Sequence, residues 1–277
     1  MHVLRFAGWA LCLGTALTSL TGSRPSAAAS AQPLVFCADP AYMPYSDRSG
    51  DGFENRIAVV VGHALGRPVQ FYWRSMRAKD EYGEFLVSTI QAKKCDVLVD
   101  VPYALQQVRT TRPYFISSYV FVYKKGRGLG VTSLDSPQLR QLKIGYEGET
   151  PVQMGLKQRT LIVGSKLFLT ADDESASPQD MVVALESNKI DIGLTWDPAV
   201  GYFLKSHPDL VAAAIPNTRS QGYPEQFTFP MAMATRLGDK ALNDDLNRVI
   251  ATHSDELHAV LRNYNISFSF PASDSGS

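Results

Sequence analysis

Apolar residues recur along this chain with two periods, about 2 and about 3.6 residues, and the two alternate. Leu34, Val35 and Phe36 form a short β-prone run, which Asp39 and Pro40 close because proline cannot donate to a ladder. A turn-rich stretch, Asp47 to Gly52, follows. Phe53, Ile57, Val60, Val61 and Ala64 then recur at helical spacing, with Glu54 in the first turn, where the helix dipole favours a carboxylate. Pro68 to Trp73 reads as a second strand. Tyr82 to Lys94 reads as a helix through Phe85, Leu86, Thr89 and Ile90, with Lys93 and Lys94 at its C-terminus, and Asp96 to Val101 as a third strand. Strand, helix, strand, helix, strand predicts a parallel βαβαβ unit with right-handed crossovers. Ligands of such sheets sit outside the carboxyl ends of the strands, so the loop Ala38 to Gly52 is the first candidate site.

Tyr114 to Lys124 is a β-rich run leading out of this unit, and the glycine- and base-rich Lys124 to Gly130 suits a hinge. Its G-x-G-x-G does not open a helix, so it is no dinucleotide fingerprint. The pattern then repeats in outline. Leu142 to Tyr146 is a strand, Glu147 to Pro151 a loop and cap, and a helix runs through Leu156. Arg159 to Val163 and Lys166 to Thr170 are β-prone. Pro178 to Asn188 is a helix capped by Ser177, with Pro178 in its first turn. Ile190 to Trp196 is a strand ended by Asp197-Pro198, and Tyr202 to Lys205 a short helix. Leu210 to Ile215 and Phe227 to Ala234 complete the strands. A helical tail presents Leu242, Leu246, Val249 and Ile250, then Leu257, Val260 and Leu261.

The first 31 residues stand outside this pattern. Arg5, the uncharged apolar run Phe6 to Leu20 and Ala29-Ser30-Ala31 have the form of a secretory leader cleaved before Gln32, which predicts a periplasmic protein. Cys12, preceded by Leu11, does not sit in a lipobox. Removing Arg5 and Arg24 leaves 25 basic against 27 acidic residues, a net charge of −2. That balance offers no basic stripe for nucleic acid, and no second apolar run is long enough to span a membrane. An oxidising compartment favours pairing of the two remaining cysteines, Cys37 and Cys95. The stagger expected between parallel neighbours argues the other way and leaves two buried thiols as the alternative.

Little here supports catalysis. Asp47, Ser49, Asp51 and Gly52 imitate a calcium loop, but Ala58 stands where the bidentate glutamate belongs, so no metal is expected. His253 and His258 are off the i, i+4 face of a helical metal pair, and there is no G-x-S-x-G elbow. We expect a non-enzyme without a cofactor.

The order DPAYMPYS, GFENRIA, AKKCDVLVDV, TTRPY, SLDSPQLRQLKIGYEGET, ALESNKIDIGLTWDPAVGYF and LGDKALNDDLNRVI resembles the periplasmic solute-binding proteins of the polar amino-acid type. The resemblance covers nearly all of the chain after the leader. Within that superfamily the chain looks most like the J-type accessory proteins of pyrroloquinoline-quinone methanol dehydrogenases. It implies a two-lobed α/β fold, each lobe a mostly parallel sheet flanked by helices, with two crossing strands at the hinge. The implied division is 1–31 leader, 32–125 with 226–277 lobe one, and 126–225 lobe two. The partner implied is a pyrroloquinoline-quinone-dependent dehydrogenase, the alternative being a small solute delivered to a permease. Strand-end loops would line the cleft with Asp39, Tyr42, Met43, Tyr45, Asp100, Pro102, Tyr103, Arg112 and Tyr114 from lobe one. Lobe two would supply Glu149, Thr150, Trp196, Asp197 and Tyr202. Amino-acid receptors of the superfamily clamp the ligand carboxylate with an arginine nine residues before the proline of a motif that here reads Thr110-Thr111-Arg112-Pro113-Tyr114. That position is Ala104, so free α-amino acids are not the expected ligand unless Arg109 or Arg112 substitutes.

Overall fold

The computed structural model describes residues 32–77, 82–170, 173–220, 222–267 and 269; the leader and its cleavage site lie outside these. In chain order the first unit comprises β1 (Leu34–Ala38), β2 (Ala41–Tyr42), β3 (Ser46–Asp47), α1 (Phe53–Ala64), β4 (Val69–Trp73), α2 (Tyr82–Leu86) and β5 (Leu98–Pro102). Next come β6 (Arg109–Thr110) and the long β7 (Phe115–Lys124). The second unit comprises β8 (Ile144–Glu147), α3 (Pro151–Gln158), β9 (Lys166–Phe168), α4 (Gln179–Glu186), β10 (Ile192–Trp196), α5 (Asp197–Leu204) and β11 (Leu210–Ala214). The chain closes with β12 (Thr218–Ser220), β13 (Tyr223–Glu225), β14 (Thr228–Thr235), α6 (Lys240–Thr252) and α7 (Ser254–Asn263).

Both units use one strand order. β4 pairs in parallel with β1, which meets the β5 segment at a parallel Phe36–Val97 bridge. β8 pairs in parallel with β9 on one side and β10 on the other. The first strand of each unit therefore lies between the other two, which puts a topological switch point beside β1 and another beside β8. Antiparallel β7 and β14 join the units. β7 pairs with β14 through residues 115–118 and with β10 and β11 through 119–124, changing partners between Ser118 and Tyr119. The glycine-rich Lys124 to Gly130 stretch follows that change rather than making it.

Side-chain packing follows the same division. One buried cluster joins Leu34, Phe36, Phe53, Ile57 and Phe115 to Met233 of β14 and to Leu246, Leu257 and Leu261 of the tail. Two others draw on residues of the second unit, centred on Phe121, Leu156, Ile192 and Phe227 and on Val122, Met181, Leu185 and Val200. The β-branched and apolar run Arg159 to Val163 is not the expected strand. It closes α3: Thr160 adopts a left-handed φ of 55°, Leu161 N–H returns to Leu156 O at 2.9 Å, and Leu161 and Ile162 pack inward. Burial of those two side chains is satisfied by a helix C-terminus as well as by a strand. Asp197 and Pro198, read as the end of a strand, also begin α5, five residues earlier than the pattern placed a helix. The helix from Tyr82 changes to a wider π-type turn over Val87–Gln91 and ends at Lys93, which has φ 59°.

That ending explains the cysteines. Cys37 N–H donates to Val97 O at 3.0 Å, and the turn after Lys93 brings Cys95 back beside Cys37. They form a disulfide with a Cα separation of 5.3 Å. Parallel stagger separates residues within paired strands, and Cys95 precedes β5.

The tail crosses between the units. Ser267 N–H donates to Asp197 Oδ2 at 2.6 Å, Asn265 Nδ2 to Gly201 O at 3.0 Å, and Ser269 bridges Ile116 of β7. Gly201 admits this segment: a Cβ there would stand 2.5 Å from Asn265 O.

Candidate functional site

The carboxyl ends of the strands flanking the two switch points carry Asp39 after β1, Asp100 in β5, Glu147 at the end of β8 and Trp196 at the end of β10. Three of them enter one buried network, and Asp100 lies beside it.

Asp39, fully buried, organises the loop predicted as the first candidate. Its Oδ1 accepts from Ala41 N–H at 2.9 Å and its Oδ2 from Met76 N–H at 2.9 Å, while its own N–H donates to Ser46 Oγ at 3.0 Å. Arg77, 4 % exposed, lies against it with Nε 3.6 Å from Asp39 Oδ2, its guanidinium 4.5 Å above the ring of Tyr42. Tyr42 stacks on Tyr45 at 4.7 Å. The Tyr42 hydroxyl lies beside Thr170 and Glu147 of the second unit, and burial followed by the Glu147 carboxylate drives its pKa well up.

Glu147 is the centre from the other side. Its Oε1 accepts from Thr170 Oγ1 at 2.6 Å, and its Oε2 from Thr195 Oγ1 at 2.9 Å and Trp196 N–H at 3.1 Å. Trp196 packs on Tyr119 at 5.0 Å and Phe229 at 6.0 Å, so both crossing strands contribute to one aromatic wall. Burial, then Glu147, pushes the Tyr119 phenol up as well.

Below Tyr45 lie two further carboxyl groups. Burial raises Asp100 to about 7, and among the described residues none hydrogen-bonds its enclosed Oδ1. Glu54, in the first turn of α1, is pushed well above the carboxylate range by burial and then by Asp100, opposed by a hydrogen bond with Ser46. The sign of the linkage is fixed by that direction. A carboxyl raised from 3.8 to about 7 on folding leaves stability intact below pH 3.8 and removes it as pH rises toward 7. Asp100→Asn is therefore expected to be neutral at pH 4 and stabilising at pH 8, by about 1–2 kcal/mol given the partial exposure of the residue. Thermal denaturation at the two pH values checks it, and equal shifts at both would reject the assignment.

Asp39, Tyr42, Tyr45 and Trp196 thus come together, with half-buried Met43 in the same loop. Glu149 does not join them: it is exposed at φ 55°, while Thr150 hands its hydroxyl to Glu147 O at 2.7 Å and caps α3. Pro102 and Tyr103 are exposed at the end of β5. Tyr114 is buried in the first core, donating to Val99 O at 3.2 Å. Asp197 holds the tail, and burial raises it to about 7 against the Ser267 hydrogen bonds. Tyr202 packs against Tyr264, 5.6 Å away. Neither clamp candidate enters the network: Arg109 Nε donates to Leu237 O at 2.8 Å, and Arg112 is exposed, its N–H bonded to Asn247. The arginine at the centre is Arg77, which the sequence reading passed over with Glu54, Tyr119, Glu147, Thr170 and Thr195. The strand-end position of Glu147 was the available signal; Arg77 offered none.

Two βαβαβ units, each with its first strand in the middle and joined by two crossing strands, make the fold of the periplasmic binding proteins. No protein-family model matches the chain. The chain is similar to MoxJ of Methylorubrum extorquens, 26 % identical over 235 residues covering 79 % of this chain and 76 % of that protein. Among solved structures it superposes on MxaJ from Methlophaga aminisulfidivorans with TM-score 0.78 and 25 % identity, covering 85 % of this chain and all of that one. XoxJ from Methylobacterium extorquens follows with TM-score 0.69 and 28 % identity, covering 86 % of this chain and all of that one. An ancestral cationic amino-acid solute-binding protein, 18 % identical with TM-score 0.64 over 84 % of this chain and 95 % of its own, shares the fold.

Proposed function

We propose that this protein is a periplasmic accessory protein of a pyrroloquinoline-quinone-dependent methanol or alcohol dehydrogenase, acting by docking on the enzyme or assisting its maturation. The observation that carries this reading is the likeness to MoxJ over 76 % of its length and to MxaJ and XoxJ over all of theirs. The site supports it. Asp39, Tyr42, Arg77, Glu147, Thr170 and Thr195 meet one another's polar groups or main-chain groups of the surrounding loops, whereas a receptor for a small solute presents such groups to its ligand. Delivery of a solute to a permease is the weaker reading, resting on a fold shared with transport receptors.

The same proposal includes export by the leader with cleavage before Gln32, no catalytic role of its own, and lobes of residues 32–125 with 226–277 and 126–225. No described helix is long and apolar enough to cross a membrane. The test is deletion of the gene in its own host, with methanol dehydrogenase activity and subunit assembly measured in periplasmic extracts. Activity is expected to fall and to return with the wild-type chain. Unchanged activity, with micromolar calorimetric binding of an α-amino acid, would replace this reading with the receptor.

A further inference from the structure

Arg77 belongs to the first unit, directly after β4, yet most of its hydrogen bonds leave that unit. Its Nη1 donates to three carbonyl oxygens of the loop before α4: Asp173 at 3.4 Å, Glu174 at 3.1 Å and Ala176 at 3.0 Å. Its Nη2 donates to Ala41 O at 2.8 Å, and Asp39 with the Tyr42 ring holds the rest of the guanidinium. A permanently charged fork, 4 % exposed, thus has acceptors in both units at once. The loop is shaped to receive it. Ser175 N–H and Oγ both bond to Asp173 Oδ1, and Ala176 N–H bonds to Asp173 O, which folds three carbonyls toward one point. Next to this contact, Tyr42 of the first unit meets Thr170 of the second.

We infer that Arg77 is an internal latch that holds the two units closed over the strand ends without any bound solute. Opening withdraws the guanidinium from three carbonyls at once and parts Tyr42 from Thr170, so closure is the resting state of the free protein. A buried side chain of this chain thereby takes the place that ligand contacts hold in a solute-closed receptor. The inference concerns the conformation of the free protein and stands whether or not the accessory reading does.

Small-angle scattering of the purified mature chain, without added solute, is the first measurement. Wild type is expected to scatter as the closed form; a wild type that is open in solution overturns the latch. Arg77→Met removes the charge and the fork at similar length, and is expected to increase the radius of gyration. Hydrogen exchange in peptides covering residues 173–180 should then be roughly tenfold faster or more, with the Phe121 and Phe36 cores unaffected. Arg77→Lys keeps the charge without the fork and is expected to fall between the two, which also covers a methionine variant that fails to fold. A folded Arg77→Met or Arg77→Lys with wild-type scattering and wild-type exchange in that loop rejects the proposal.

Discussion

Replacing both Cys37 and Cys95 with alanine is expected to lower the stability of this protein by about 4 kcal/mol. The two cysteines are 58 residues apart in sequence. Cross-linking a loop of that length removes about 14 cal/mol/K of chain entropy from the unfolded ensemble, or about 4 kcal/mol at room temperature. The native side does not offset this, because both sulfurs lie inside the cluster formed by Phe85, Leu86, Ile90 and Val108. Losing them there also opens a small cavity. The bridge ties β1, whose end carries Asp39, to the segment that leads into β5 and Asp100. Its loss should therefore loosen the first switch point before it loosens the second unit. Urea titration of wild type and the double variant measures the difference. A loss below about 1 kcal/mol would show that the link contributes little.

The alternating periods were enough to read strand, loop and helix through most of both units, because each element buries one face and the spacing records which. What the periods do not record is strand order. Right-handed crossovers allow the second strand to add on either side of the first, and only tertiary packing puts β4 and β9 outside β1 and β8. Asp39 and Trp196 were legible because each stands at a strand end, where α/β sheets hold their sites. Glu147 and Glu149 look alike in the string EGET. The strand still runs at Glu147 and aims it inward, whereas Glu149 lies past the end at a left-handed φ. Tyr114 sits beside a plausible cleft motif, yet the apolar environment of β5 and α7 takes it into the core. Arg77 left no trace in the pattern, since its hydrogen-bond acceptors are main-chain carbonyls, one 36 residues away and three 96 to 99 residues away. A backbone acceptor has no side-chain identity for a sequence to show.

Glu147→Ala is expected to be the most damaging single change at the strand ends, at about 3–5 kcal/mol. Three donors converge on this one carboxylate, two threonine hydroxyls and the Trp196 amide, and Glu147, Thr170 and Thr195 are all buried. Alanine leaves those donors enclosed without an acceptor, at about 1–3 kcal/mol for each one that water does not reach. It also frees the amide that fixes Trp196 at the junction of β10 and α5. The Tyr119, Trp196 and Phe229 contacts rest on that junction, so the damage should reach both crossing strands. Glutamine is the discriminating control. Its carbonyl oxygen still accepts from one side, but its amide nitrogen offers hydrogens where the other hydroxyl donates, and the expected loss is about 1–2 kcal/mol. Denaturant titration gives the energies, and tryptophan emission reports the wall, moving to longer wavelength in the alanine variant as Trp196 meets water. If alanine and glutamine prove equally mild, the three donors find water instead. The carboxylate would then be an ordinary buried side chain, not the point on which the second switch point is assembled.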